Sequence, residues 1–287
     1  MNVRGRWLKR PTAWRKISLQ AWRTPDNATI HGTLEIDVGR LRDFLDRRTA
    51  ESGVKCTMTH AVSRALALLL RRFPDCNVLV RRRRIWLRDD VDVFHQVAMP
   101  SETEPGRVDL SGATIRQADT KRVEVIAKEL RERAAAVRSE KDGEMARTRS
   151  LLLRLPGFLA RWMLRLVGWL QYTLNLRVPT TPRDPFGGAM VTSIGMMGIK
   201  SAFVPLVTFS RVPIIVVVGQ VEDRPVVREG QVVVRPMCTL TATMDHRVLD
   251  GAQAAQLAAG MTRLLEEPER LDEPAAGGVA DFAPRPA

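Results

Sequence analysis

The sequence has few cysteines, no paired metal-ligand motif and no secretory leader pattern. Its three cysteines, Cys56, Cys76 and Cys238, are an odd number at wide spacings, without a CxxC pair or a neighbouring histidine that would complete a metal site. This pattern is typical of buried thiols in a reducing compartment. The N-terminal residues are basic but lack the apolar run and the small-residue cleavage site of a signal peptide. We therefore expect a cytoplasmic protein without a metal site.

A membrane-spanning run is also missing. Residues 151–176 are strongly apolar, but three arginines and a proline interrupt them, so no stretch reaches the length that a bilayer requires. The interrupting residues are Arg154, Pro156, Arg161 and Arg165. A basic amphipathic helix with tryptophans could instead lie on a membrane surface. We favour the alternative, a helix packed on the domain or on a neighbouring subunit.

Basic residues are in excess, with 45 Lys and Arg against 32 Asp and Glu. An anionic partner therefore has to be considered. The densest basic run, Arg81 to Arg84, falls at a predicted hairpin turn, where a solvated loop or a phosphate contact would each suit it. No aromatic residues interleave with these arginines, as base stacking would require. Nucleic acid is therefore not expected as a partner.

The first half of the chain alternates strand and helix patterns. Thr29 to Val38 mostly alternates apolar with polar residues and predicts a half-buried strand, followed by a short helix over 39–49. Thr59 to Phe73 predicts a helix capped by Thr59 and ended by Pro74. The segments CNVLV, RRRR and IWLRDDVDV predict a hairpin and a further strand, and residues 120–137 a partly exposed helix.

The second half is rich in β patterns from Gly187 onward. We predict strands at AMVTSI, PLVTFS, PIIVVVGQV, QVVVR and MCTLTATM, with EDRP and REG as turns. Residues 252–267 predict a closing helix. Strands and helices interleave without a regular βαβ repeat, so the expected fold class is α/β, an α+β sandwich with a mixed, largely antiparallel sheet covered by helices.

The predicted organisation is one domain with two flanking segments. Residues 1–28 are expected to form an N-terminal arm and residues 29–271 the domain, with an apolar helical insertion at about 138–184. The tail, residues 272–287, is rich in Pro, Ala and Gly and is predicted to be disordered.

One segment combines residues that could carry chemistry. The strand TLTATM runs directly into DHRVLDG, which places His246 at a strand end, where side chains face a cleft. Imidazole titrates near neutral pH and can act as a base and then as an acid. A lone histidine at a strand end is more often structural, so the surrounding residues have to decide.

Those residues resemble a known family. DHRVLDGA is similar to the HxxxDG signature shared by the catalytic domain of the 2-oxo-acid dehydrogenase acyltransferases and by chloramphenicol acetyltransferase. Three further segments match in the same order, namely MTHAVSRALALLLRRFPDCNVLV, GGAMVTSIGMMGI and PLVTFSRVPIIVVVGQV. The resemblance covers roughly Thr29 to Leu271, is weakest over 138–184, and implies a chloramphenicol-acetyltransferase-like fold.

The resemblance implies a coenzyme A-dependent acyltransferase. His246 would remove the proton of a thiol, the thiolate would attack a thioester, and a hydroxyl would donate to the oxyanion of the tetrahedral intermediate. Aligned on Gly195, the hydroxyl donor falls on Thr192, where the family carries serine, with Ser193 as the second candidate. A threonine keeps the hydroxyl, although its β-branch restricts the rotamer.

The resemblance also assigns supporting roles. Asp250, beside Gly251, would form an ion pair that fixes the loop, with Arg15 as its partner. Asp245 and Arg247 would orient the histidine loop. The remaining histidines match no catalytic position and are expected to make local hydrogen bonds. These are His31, His60 and His95.

The resemblance implies a homotrimer, possibly within a larger assembly, with His246 of one chain facing Thr192 of the next. Coenzyme A would be a substrate. No lysine-bearing lipoyl hairpin and no Ala- and Pro-rich linker precede Thr29, so we expect a free-standing catalytic domain whose lipoyl group, if one is used, another protein carries. Two alternatives stay open: a non-catalytic oligomeric scaffold of the same fold, and a chloramphenicol-type O-acetyltransferase.

Overall fold

The computed structural model describes residues 2, 4–7, 9, 28–100, 108–138, 156–179, 181–207 and 209–274. The strands in these ranges are β1 (Gly5–Trp7), β2 (Thr29–Asp37), β3 (Val78–Arg81), β4 (Arg84–Arg88), β5 (Val93–Pro100), β6 (Val108–Ile115), β7 (Ala189–Ser193), β8 (Ile214–Arg228) and β9 (Gln231–Asp245). The α-helices are α1 (Gly39–Ser52), α2 (Met58–Arg72), α3 (Val123–Arg138), α4 (Gly157–Gly168) and α5 (Gly251–Glu266).

Two sheets organise these strands. The main sheet has the order β2-β9-β8-β7-β5-β6, and a small sheet has the order β1-β4-β3. In the main sheet β7 runs parallel to both β5 and β8, and the remaining pairs are antiparallel. The predicted mixed α/β architecture is therefore confirmed. The small sheet recruits part of the predicted N-terminal arm, since β1 pairs with β4.

The main core lies between one face of the large sheet and the helices. Alternate residues of β8, namely Ile214, Val216 and Val218, face this core, whereas Ile215 and Val217 face a second apolar cluster on the opposite side. Helix α2 is central, because every residue from Ala61 to Leu70 is buried. Full burial of a leucine side chain contributes on the order of 1.5–3 kcal/mol, so α2 anchors the sheet firmly.

Helix α2 begins one residue earlier than the sequence predicted, and Thr57 rather than Thr59 is its N-cap. Thr57 and His60 form a reciprocal capping box, in which the backbone N–H of Thr57 donates to Nδ1 of His60 at 3.1 Å. The helix ends before Pro74, as predicted. An imidazole can accept the N-cap hydrogen bond as the usual Glu or Gln does, and for that reason the sequence pattern concealed the cap.

Two β-region predictions are wrong. The segment PLVTFS forms no strand in its described residues, 205–207 and 209–210, and the stretch before it crosses the sheet, where the carbonyl of Ala202 accepts a hydrogen bond from Thr241 Oγ1. EDRP is not a turn, because β8 continues through it. Its charges stay at the surface, where Arg224 pairs with Glu222 and Glu35. REG is the turn that joins β8 to β9.

The described fold extends to residue 274. Asp272 ends a 3-10 helix and pairs with Arg48, so the predicted disordered tail does not begin at this residue. Residues 275–287 lie outside the described residues. Within the predicted insertion, Pro156 precedes α4, and a π-turn, Trp169–Thr173, follows it. No helix in the described part of the chain is long and apolar enough to cross a bilayer.

Candidate active site

His246 lies in the turn that directly follows β9. Its backbone N–H donates to the carbonyl of Ala28 at 2.5 Å, which holds the turn against the start of β2. Its ring Nδ1 lies 3.0 Å from the carbonyl oxygen of Leu249. A carbonyl oxygen only accepts hydrogen bonds, so this contact assigns the proton of the neutral ring to Nδ1. Nε2 then carries the lone pair, as a general base requires.

A buried ion pair holds the same turn. The carboxylate of Asp245 accepts from the backbone N–H of Arg247 at 3.1 Å and from its Nε at 2.8 Å, with a further contact to Nη2. The backbone carbonyl of Asp245 accepts from the N–H groups of Val248 and Leu249. Both of these apolar residues are fully buried. The histidine therefore sits on a turn that is fixed from two sides.

Asp250 caps helix α5. Its carboxylate accepts from the backbone N–H groups of Ala252 at 2.9 Å and Gln253 at 3.2 Å, and Gln253 Oε1 accepts from the Asp250 N–H at 3.1 Å. This capping box differs from the predicted ion pair, and Arg15 lies outside the described residues. A Cβ on Gly251 would meet no described atom within 4 Å, so the fold of one chain does not require glycine there.

Thr192 and Ser193 end β7, and both are half-buried. Because side chains alternate along a strand, Thr192 shares a face with Met190, and Ser193 shares the helix-covered face with Val191. The two candidate hydroxyls therefore point to opposite sides of the sheet. Only one of them can face a given active site.

Sheet register places Thr192 far from His246 within one chain. Thr192 pairs with Val217 of β8, and Val217 pairs with Thr241 of β9. From Thr241 the chain runs about 16.5 Å along the strand to His246, and two interstrand spacings add about 9.5 Å across. The two Cα atoms are therefore roughly 19 Å apart. One chain does not bring the predicted base and the predicted donor together.

Two glycines permit the turn after β7 to lie on β8. A Cβ on Gly195 would lie 2.6 Å from the carbonyl oxygen of Gly219, and a Cβ on Gly219 would overlap the carbonyl oxygen of Lys200. The backbone of residues 195–200 thus crosses β8 in direct contact. These glycines, unlike Gly251, are required by close approach of the backbone.

The other candidate bases and nucleophiles are suppressed by burial or serve local contacts. Burial lowers the pKa of His60 to about 4 and that of His95 to about 3, and it raises the pKa of Cys238 to about 11. His95 Nε2 contacts Ser63 Oγ at 2.9 Å, and His31 Nδ1 contacts Thr243 Oγ1 at 3.2 Å. The prediction that these histidines make local hydrogen bonds is confirmed.

Sequence reasoning missed three groups that position the histidine. The carbonyls of Ala28 and Leu249 leave no sequence signal, since every residue has a carbonyl group. Gln253 could have been found, because Asp250 followed three residues later by Gln is a capping-box pattern.

The family model of the 2-oxoacid dehydrogenases acyltransferase (catalytic domain) matches residues 18–145 and 180–272. A similar protein is the dihydrolipoyllysine-residue acetyltransferase component of the pyruvate dehydrogenase complex of Bacillus subtilis (strain 168). It is 26% identical over 265 residues, which cover 90% of this chain and 49% of that protein. The corresponding Rhizobium meliloti (strain 1021) protein is 29% identical over 215 residues, 75% of this chain and 38% of that protein. The chain thus spans about half or less of these relatives.

Solved structures share the fold. The cubic core of the pyruvate dehydrogenase multienzyme complex has a TM-score of 0.64 at 22% identity, covering 85% of this chain and 83% of that one. A probable dihydrolipoamide acetyltransferase from Listeria monocytogenes has a TM-score of 0.61 at 20% identity, with 88% of each chain covered. With the family model matched on both sides of a gap over 146–179, this chain belongs to the family of 2-oxoacid dehydrogenase acyltransferase catalytic domains.

Proposed function

We propose that this chain is a coenzyme A-dependent acyltransferase that moves an acyl group between thiols, with His246 as its general base. The hydrogen bond between Nδ1 of His246 and the Leu249 carbonyl carries the proposal, because it leaves the Nε2 lone pair to accept a proton. Membership of the acyltransferase family supports the same reaction.

The proposed transfer needs one proton acceptor and one oxyanion donor. Nε2 of His246 takes the thiol proton, and the resulting thiolate attacks the thioester carbonyl. The carbonyl oxygen becomes an oxyanion, which accepts a hydrogen bond from the Thr192 or Ser193 hydroxyl. Collapse breaks the original C–S bond, and the departing thiolate takes the proton back from the imidazolium. General-base catalysis contributes on the order of 10² to 10⁴ in rate, and an oxyanion donor about 10² to 10³.

We further propose that the complete site spans two chains of a homotrimer. Base and donor must each lie within about 3 Å of the reacting atoms, whereas the sheet separates His246 from Thr192 by roughly 19 Å in one chain. A neighbouring copy can supply the missing hydroxyl. The shared fold with a cubic multienzyme core supports further assembly of such trimers.

Coenzyme A is proposed as one thiol substrate and a dihydrolipoyl group as the other, carried by a separate protein. The names of the relatives, dihydrolipoyllysine-residue acetyltransferases, support this pairing. The decisive assay follows acyl transfer from acetyl-coenzyme A to dihydrolipoamide and to alcohol acceptors, for the wild type and His246→Ala. Equal rates for both proteins would contradict the enzymatic proposal and favour a scaffold. Transfer to alcohols alone would favour an O-acetyltransferase.

Mixed oligomers test the shared site. His246→Ala and Thr192→Val are each expected to be nearly inactive, but random co-assembly in equal amounts should restore roughly one quarter of the sites, because one chain can supply the base and the next the donor. Ser193→Ala is the matched control for the hydroxyl assignment. Complementation by Ser193→Ala instead of Thr192→Val would move the donor to Ser193. No recovery with either variant would contradict a site that spans two chains.

A further inference from the structure

One face of α4 and the residue after it exposes four large apolar side chains. Leu159, Trp162, Leu166 and Trp169 recur at intervals of three and four residues and are 42%, 67%, 55% and 48% exposed. At about 100° per residue they fall within an arc of roughly 80°. We call these four residues the α4 stripe. A contiguous apolar surface of this kind marks a contact site rather than an ordinary solvated helix face.

The helix is anchored so that the stripe faces outward. In the π-turn after α4, Tyr172 is fully buried against Leu79 and Trp86 of the β3–β4 hairpin. Nε of Arg81 donates to the carbonyl of Thr173 at 2.9 Å. These contacts attach the C-terminal end of α4 to the hairpin. The arginine run at that hairpin turn therefore lies next to the end of the stripe.

The surroundings of the stripe are basic. Arg82, Arg83 and Arg84 are exposed at the hairpin turn, and Arg165 is exposed beside the stripe. The described segment 156–179 contains three arginines and no aspartate or glutamate. The surface thus combines tryptophan and leucine side chains with a local excess of positive charge.

We propose that the α4 stripe and the Arg82–Arg84 turn together bind the surface of an anionic phospholipid membrane. Tryptophan and leucine insert at the boundary between headgroups and acyl chains, and arginines bind lipid phosphates. A helix of 12 residues is about 18 Å long, so it lies in the interface plane rather than crossing the bilayer. The family model leaves residues 146–179 unmatched, so the α4 stripe lies outside the matched parts of the acyltransferase domain.

The positive charge around the α4 stripe favours an anionic membrane as its partner over another protein. The described segment 156–179 contains arginines but no aspartate or glutamate, and helices that lie on anionic membranes combine arginines with tryptophan and leucine in this way. The proposal is independent of the acyl-transfer chemistry, because it concerns where the domain docks and uses no residue of the proposed active site.

Vesicle co-sedimentation of the full chain tests the membrane proposal. We expect binding to vesicles of phosphatidylcholine mixed with phosphatidylglycerol, little binding to phosphatidylcholine alone, and loss of binding on adding salt. The double variant Trp162→Ala/Leu166→Ala should lower the partition coefficient at least about tenfold. Val232→Ala/Val234→Ala removes two equally exposed apolar side chains from the β8–β9 hairpin, and it should bind like the wild type.

Two further double variants test whether the arginines of the hairpin turn contribute to vesicle binding. Arg82→Gln/Arg83→Gln should weaken binding about tenfold or more, whereas Arg42→Gln/Arg131→Gln, on exposed positions of α1 and α3, should change it far less. Absence of wild-type binding to anionic vesicles, or equal binding to both vesicle types, would overturn the proposal. So would stripe variants that bind vesicles normally but change the oligomer size in gel filtration, because the stripe would then be a protein contact.

Discussion

Replacing Asp245 by alanine should destabilise the fold by about 3–5 kcal/mol, the usual result of removing one partner of a buried ion pair. The carboxylate accepts several hydrogen bonds from Arg247, including its backbone N–H. The Asp245 and Arg247 side chains are only 10% and 6% exposed, so water cannot replace these bonds. Breaking an exposed ion pair costs about 1 kcal/mol or less, so the expected loss in Asp245→Ala is clearly larger than the loss from any exposed pair.

Urea unfolding followed by circular dichroism measures this difference. Glu35→Ala is the matched control, because it breaks the pair with Arg224 in which Glu35 is 64% exposed, and we expect a loss below about 1 kcal/mol. The double variant Asp245→Ala/Arg247→Leu removes both buried charges and should recover most of the stability. A double-mutant cycle should therefore give a coupling energy of about 2 kcal/mol or more.

Activity separates stability from positioning in the same variants. Asp245→Ala is expected to lower kcat about 10²-fold even where it is folded, since His246 loses the turn that orients it. The double variant should recover stability but not kcat. A loss of stability in Asp245→Ala as small as that in Glu35→Ala, or a coupling energy near zero, would refute the view that this pair fixes the histidine turn.

Three further outcomes are expected. Asp184→Ala should cost about 3–5 kcal/mol in urea unfolding, because it leaves the buried guanidinium of Arg88 without its carboxylate, and a loss below about 1 kcal/mol would contradict this. Gly219→Ala should cost about 2 kcal/mol or more, since its Cβ would overlap a crossing backbone carbonyl, and unchanged stability would show that the crossing relaxes. His60 and His95 have a folded pKa of about 4 and about 3, below the unfolded value near 6.5. The free energy of unfolding should therefore be highest above pH 6.5 and fall by about 2 kcal/mol for each histidine by pH 5, because the unfolded chain binds protons that the buried rings do not. His60→Asn should make this fall smaller.

The sequence predicted most elements because their signals are local. The alternation in Thr29–Asp37 and the apolar face of α2 identify their own secondary structure, and Pro74 ends the helix independently of tertiary contacts. The wrong predictions concern segments whose conformation depends on distant partners. PLVTFS has a β-like composition, yet it follows a stretch that crosses the sheet. EDRP has the composition of a turn, but it continues β8, where Arg224 pairs with Glu35 of β2.

The candidate site also contains residues that a local motif identifies and residues whose placement depends on distant strands. His246, Asp245, Arg247 and Asp250 lie within six residues, so one motif identified all of them, although not the capping role of Asp250. The assignment of the donor could not follow from sequence, because it depends on which face of the sheet each hydroxyl occupies. That face is set by strand register rather than by the residues themselves.

The need for a second chain follows from the sheet and not from loop placement. β7 and β9 are separated only by β8, and their registers are fixed by continuous backbone hydrogen bonding through Val217. A histidine and a threonine side chain together reach less than half of the roughly 19 Å between them, so rotamer changes cannot close the distance. Moving one strand against another by enough residues would break the core that α2 anchors. If His246 and Thr192 act on the same thioester, the donor must therefore come from another copy, and assembly becomes a condition of the proposed chemistry.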